Sequence, residues 1–103
     1  MEVTEVRFKA HENGMLRGFA TVCFDGCFVV TGLRVLERDD GSCFVSMPSK
    51  KVNYSDGTWG FEDIAHPIRA DTRRAIEGAV IAEYRHWKEQ PKDEVMPEAP
   101  IRT

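Results

Sequence analysis

The sequence predicts an α+β fold, a small antiparallel β-sheet of about five strands followed by one C-terminal α-helix, and three observations carry that expectation. Residues 3–9 alternate, with Thr4, Val6 and Phe8 on one face and Val3, Glu5 and Arg7 on the other, as in a half-buried strand. Asp25-Gly26 separates two apolar runs, and this dipeptide readily takes the positive φ values of a tight hairpin turn. Ile76, Ala79, Val80, Tyr84 and Trp87 recur at helical spacing, which makes a core-facing stripe.

Size and charge narrow the class. A chain of 103 residues suits one small domain with a single core. Its net charge of -3 and pI near 5.6 exclude coating nucleic acid by bulk positive charge, so any phosphate contact has to be a local patch. Met1-Glu2-Val3-Thr4-Glu5 is acidic and lacks the apolar segment of a signal peptide, and no apolar run is long enough to cross a bilayer. The expectation is a cytoplasmic protein without membrane insertion. Three cysteines, an odd number, suit a reducing compartment where thiols act as small buried hydrophobes.

In chain order, His11-Glu12-Asn13-Gly14 is a turn cluster, and residues 16–24 and 27–36 form a hairpin about Asp25-Gly26. A two-residue loop there places Phe24 opposite Cys27, Val22 opposite Val29, Ala20 opposite Thr31 and Gly18 opposite Leu33 on one side. The other side then carries Cys23 with Phe28, Thr21 with Val30, Phe19 with Gly32 and Arg17 with Arg34. Both sides are partly apolar and one helix covers one face, so the second face, with Phe19, Phe28, Val30 and Leu36, is expected to be buried in a homodimer formed through the sheet. Arg17 opposite Arg34 calls for an acidic neighbour such as Glu5 or Glu37, or a bound anion.

Arg38-Asp39-Asp40-Gly41 makes the next turn, and residues 42–47 form the fourth strand. Pro48 has no N–H for a ladder, so that strand ends or lies at an edge there and leaves Ser49, Lys50 and Lys51 on a constrained rim. Residues 53–57 are turn-rich, and 58–64 form a fifth strand with Trp59 and Phe61 on one face. His66-Pro67 delays the helix, because a residue before proline is pushed out of the helical region. Asp71 or its neighbour caps the helix. Residues 1–87 form the folded domain, and 88–103, with Pro91, Pro97 and Pro100, read as a flexible tail.

Candidate sites divide into three sets. Cys23 and Cys27 point to opposite faces in the register above and lack knuckle spacing, so neither metal nor disulfide is expected. Cys43, His66 and Asp63 make the only nucleophile-base-acid assembly worth naming, but Cys43 sits inside an apolar strand and no phosphate loop or nucleophile elbow accompanies it. A structural histidine that fixes the strand-to-helix corner accounts better for His66. No catalytic residue and no cofactor is therefore expected. Lys50, Lys51, Arg69, Arg73 and Arg74 form the third set, an anion-binding patch or a solvated charged surface neutralised by Asp71 and Glu77. Arg73 and Arg74 lie in the first turn of the helix, where the dipole disfavours cations.

Phe28-Val29-Val30, Leu33-Arg34-Val35, Phe44-Val45-Ser46-Met47-Pro48-Ser49-Lys50-Lys51, Phe61-Glu62-Asp63-Ile64-Ala65-His66-Pro67-Ile68 and Asp71-Thr72-Arg73 closely resemble the bacterial SpoVG family over residues 1–84. The resemblance implies a dimeric α+β protein associated through its sheet, implicated in septation and sporulation, with members that regulate gene expression by binding DNA and RNA. It also implies that Lys50, Lys51, Arg73 and Arg74 contact nucleic acid, with Arg69 extending the patch. The chain departs from the family pattern in a longer 53–59 connection, in Arg69-Ala70 in place of Asn-Ser, and in its cysteines. The expected function is a non-enzymatic DNA- or RNA-binding regulator of bacterial division. The alternative is a protein-binding module of the division apparatus, whose charged rim meets a division-protein partner.

Overall fold

The computed structural model describes residues 1–89. Four antiparallel strands, β1 (Val3–Asn13), β2 (Leu16–Phe24), β3 (Phe28–Glu37) and β4 (Cys43–Ser46), form a meander in the order β1-β2-β3-β4. β5 (Ser49–Asn53) and β6 (Trp59–Asp63) pair separately as a second, two-stranded sheet. One helix, α1 (Ala70–Glu89), closes the fold. The fold class is as expected, but six strands stand in two sheets. The break falls at Pro48, whose carbonyl accepts from Ile64 N at 2.7 Å, so the chain leaves the main ladder there and starts a new hairpin. Lys50 and Lys51 belong to that hairpin and not to the rim of the larger sheet.

The core lies between α1 and one face of the four-stranded sheet. Phe8, Ala20, Val22, Phe24, Leu33, Val35, Val45 and Met47 are buried beneath Ile76, Val80 and Tyr84 of the helix, the stripe that the helical spacing anticipates. Trp87 meets Phe8 with ring centroids 5.1 Å apart and the planes tilted by 54°. Gly18 is essential to this packing, because a Cβ there would stand 2.6 Å from the Phe8 ring.

The register departs from the simple two-residue hairpin. Asp25 and Gly26 do take positive φ, 53° and 65°, and Cys27 N donates to Phe24 O at 2.9 Å, so the turn is as expected. The ladder then pairs Phe24 with Phe28, Cys23 with Val29 and Val22 with Val30, before an irregularity after which Ala20 meets Leu33 and Phe19 meets Arg34. Cys27 is one extra residue beside the turn, and Thr31-Gly32 is another, with Gly32 at φ 81°, a conformation that glycine adopts without strain. One slip reverses the facing of Phe28 and Val30, and the second restores it for Leu33 and Val35. Phe28 and Val30 therefore lie on the helix side, and Arg17 does not face Arg34. Arg17 instead meets Glu37 at 3.4 Å, one of the acidic neighbours expected for it, while the Arg34 guanidinium donates to Ser49 Oγ at 3.0 Å.

The helix extends through Lys88 and Glu89, two residues into the segment read as a tail. Residues 90–103 lie outside the described residues. No helix among the described residues is long and apolar enough to cross a membrane.

Candidate functional site

The β5–β6 hairpin projects from the body. Among the described residues no Cα of β5 or β6 lies within 8 Å of a Cα in another strand or the helix. Its base is held by the Pro48 and Arg34 contacts given above. Its tip turns through Tyr54–Thr58, where Tyr54 N donates to Thr58 O and Gly57 N to Tyr54 O. Asp56 accepts from the Thr58 hydroxyl and amide, and these bonds hold its carboxyl below the usual range. Lys50 pairs with Glu62 and Lys51 with Phe61. Successive strand residues point to opposite faces, so the two lysines extend from opposite sides of the hairpin and do not form one patch.

The second cationic group sits where the chain enters α1. Arg69 O accepts the first helical bond from Arg73 N at 3.1 Å, so Arg69 occupies the capping position and Asp71 lies in the first turn. The Asp71 carboxylate accepts from the Arg69 side chain at 3.1 and 3.4 Å and from Thr72 N. The Arg69 bonds are the main cause of its lowered pKa. Arg73 approaches Glu77 at 3.9 Å. Lys50, Lys51 and Arg74 are exposed and have no ion pair among the described residues, whereas Arg69 and Arg73 are already paired. Of the five cations singled out in the sequence, three thus remain available to an external anion, two on the hairpin and one on the helix.

The cysteines and the nominal catalytic assembly come out apart. Cys23 is buried, Cys27 is exposed and Cys43 is half-buried, all as free thiols. Cys43 lines a shallow depression with Tyr84 and Lys88 at the C-terminal end of α1. His66 lines a different groove with Ile76 near its start, and its Nδ1 lies 3.2 Å from the carbonyl of the next residue, Pro67. Among the described residues no group of three or more His, Cys, Asp or Glu is placed to hold a metal ion.

That second groove is a feature the sequence reading missed. It encloses about 170 Å³ and is floored by Val22, Val30, Leu33 and Met47, with Phe28 and Pro67 at its sides. Phe28 is 61% exposed. The extra turn residue Cys27 turns Phe28 and Val30 toward it, and Gly32, a glycine inside a strand pattern, is the sequence signal of the irregularity that ends this register.

The SpoVG family model matches residues 1–86. The chain belongs to the SpoVG family. Proteins named "Putative septation protein SpoVG" are similar to it over most of both lengths. That of Thermoanaerobacter sp. (strain X514) is 42% identical over 91 residues, covering 87% of this chain and 94% of the relative. That of Phytoplasma australiense is 39% identical over 95 residues, covering 91% and 94%, and that of Acholeplasma laidlawii is 43% identical over 86 residues, covering 82% and 86%. The SpoVG match spans every strand among the described residues and most of α1, so the hairpin and the helix start both lie inside it.

Proposed function

We propose that this SpoVG protein is a cytoplasmic, non-enzymatic regulator of bacterial septation and gene expression that binds DNA or RNA through exposed cations. Membership of a family whose relatives carry the name septation protein supports the cellular role. The observation that carries the binding role is that Lys50, Lys51 and Arg74 are exposed without an ion pair among the described residues. Such cations release condensed counterions from a phosphate backbone without first breaking a protein ion pair. Binding is therefore local and moderate, in keeping with a net charge of -3. Gel-shift titration against unrelated DNA and RNA at two salt concentrations tests this, and negligible binding at low salt overturns it.

The protein acts as a homodimer in this account. The sheet face away from α1 presents Leu16, Phe19, Leu36 and Phe44 on adjacent strands, and among the described residues no other element packs over them. A second copy is the expected cover. The apolar groove beside Phe28 favours a second reading, a protein-binding module of the division apparatus. On that reading purified protein retains no nucleic acid at physiological salt.

A further inference from the structure

The hairpin carries aromatic surface that the fold does not use. Trp59 and Phe61 are 59% and 61% exposed, and as alternate residues of β6 they share a face. Their rings meet edge to face, with centroids 5.7 Å apart and an interplanar angle of 86°. Lys51 places its Nζ 4.8 Å above the Trp59 ring. Tyr54 braces the back of the hairpin, closely enough that a Cβ on Gly60 would come within 3.2 Å of its hydroxyl. The result is an arm with two aromatic rings and a cation on its front and no partner element among the described residues.

We propose that this front is a stacking platform for single-stranded nucleic acid, in which Trp59 and Phe61 each receive the face of an unstacked base and Lys51 meets the adjoining phosphate. The proposal rests on the nucleic-acid reading above and names its substrate class. Two rings at right angles match splayed bases and not the parallel stack of a duplex, whose base faces are covered by their neighbours. Among the described residues, Lys51 is the one cation on this face of the hairpin. Lys51 has no ion pair among the described residues, and Asp63, on the same face, lies at the base of the arm. Asp56 lies at the tip, so the phosphate contact is confined to Lys51, midway along the arm opposite Phe61.

The test is fluorescence anisotropy of the full chain with a labelled 12-nucleotide single-stranded RNA of mixed sequence, and with the same RNA annealed to its complement. The single strand binds more tightly than the duplex, and W59A F61A weakens it by about tenfold or more per ring, with far less effect on the duplex. W59F F61Y keeps the rings and retains most of the affinity, which separates stacking from loss of the hairpin fold. If the parent binds neither RNA, the nucleic-acid reading fails and this proposal with it. If the parent binds but W59A F61A holds the single strand unchanged, or the duplex is bound equally well, the platform is overturned while the nucleic-acid reading stands. If W59A F61A instead lowers the sedimentation coefficient and leaves RNA binding intact, the face belongs to a protein contact and the proposal is likewise overturned.

Discussion

The Tyr84 hydroxyl donates a 2.7 Å hydrogen bond to the Glu37 carboxylate and so fastens the helix to the end of β3 across 47 residues of chain. Lys88 and Arg17 approach the same carboxylate at 3.3 and 3.4 Å. The Tyr84 bond, ahead of the Lys88 contacts, holds the Glu37 carboxyl below its ordinary value near 4.5. Burial and then the Glu37 bond push the Tyr84 phenol up to about 12.

Tyr84→Phe keeps the ring beside Phe8, 5.2 Å away, and removes only this bond. It should cost about 1–2 kcal/mol at neutral pH. Glu37 has a folded pKa below its unfolded one, so its contribution is present above about pH 4.5 and fades as pH falls through the lowered value. Tyr84 has a raised folded pKa, so its contribution is full below pH 10 and is lost as pH climbs to about 12. Parent and variant should therefore differ most between these limits and converge at both ends, as urea titrations across pH will show.

The face that packs on the helix was legible in the sequence where alternation was unbroken, as at Val6 and Phe8, and at Leu33 and Val35, where the two slips cancel. It was not legible at Phe28 and Val30, because pairing arithmetic assumes one residue opposite one, whereas Cys27 is an extra residue of the turn and Thr31-Gly32 holds another within β3. Pro48 correctly marked the end of a strand, but a proline does not say whether the next strand rejoins the sheet or leaves it. That choice separated Lys50 and Lys51 from Arg69, Arg73 and Arg74, which linear proximity to the helix start had joined. The neutralisation by Asp71 and Glu77 that the sequence offered as an alternative falls on Arg69 and Arg73, and which cations it takes from the patch is set by the geometry of the helix start.

Gly18→Ala should destabilise the fold by about 1–3 kcal/mol through overpacking, because its Cβ meets the Phe8 ring. Gly14→Ala, a turn position with open space around it, loses stability only through its positive φ of 62°, by about 1 kcal/mol. Thermal midpoints of the two variants provide the comparison.

Replacing all three cysteines by alanine should cost about 1–3 kcal/mol in packing, with most of it at Cys23, which is buried, and almost none at Cys27, which is exposed. Neither a reductant nor a chelator should shift the unfolding transition of the parent. A downward shift with either would show that a disulfide or a metal supports the fold.

Sedimentation should report a dimer at micromolar concentration. Phe19→Glu, on the face away from the helix, should yield a folded monomer, while Phe28→Glu, beside the groove, should leave the dimer intact. The reverse pattern would move the interface to the groove.

The most direct measurement of nucleic-acid binding is affinity for DNA and RNA as a function of salt, for the parent and for K50E K51E. The account predicts that log affinity falls linearly with log salt in the parent, by roughly 0.7 to 0.9 per phosphate contact. The charge-reversed protein should bind all sequences more weakly and with a flatter slope, at a nearly unchanged thermal midpoint, because exposed charges contribute little to stability. Equal affinity and equal slope in parent and variant would contradict it.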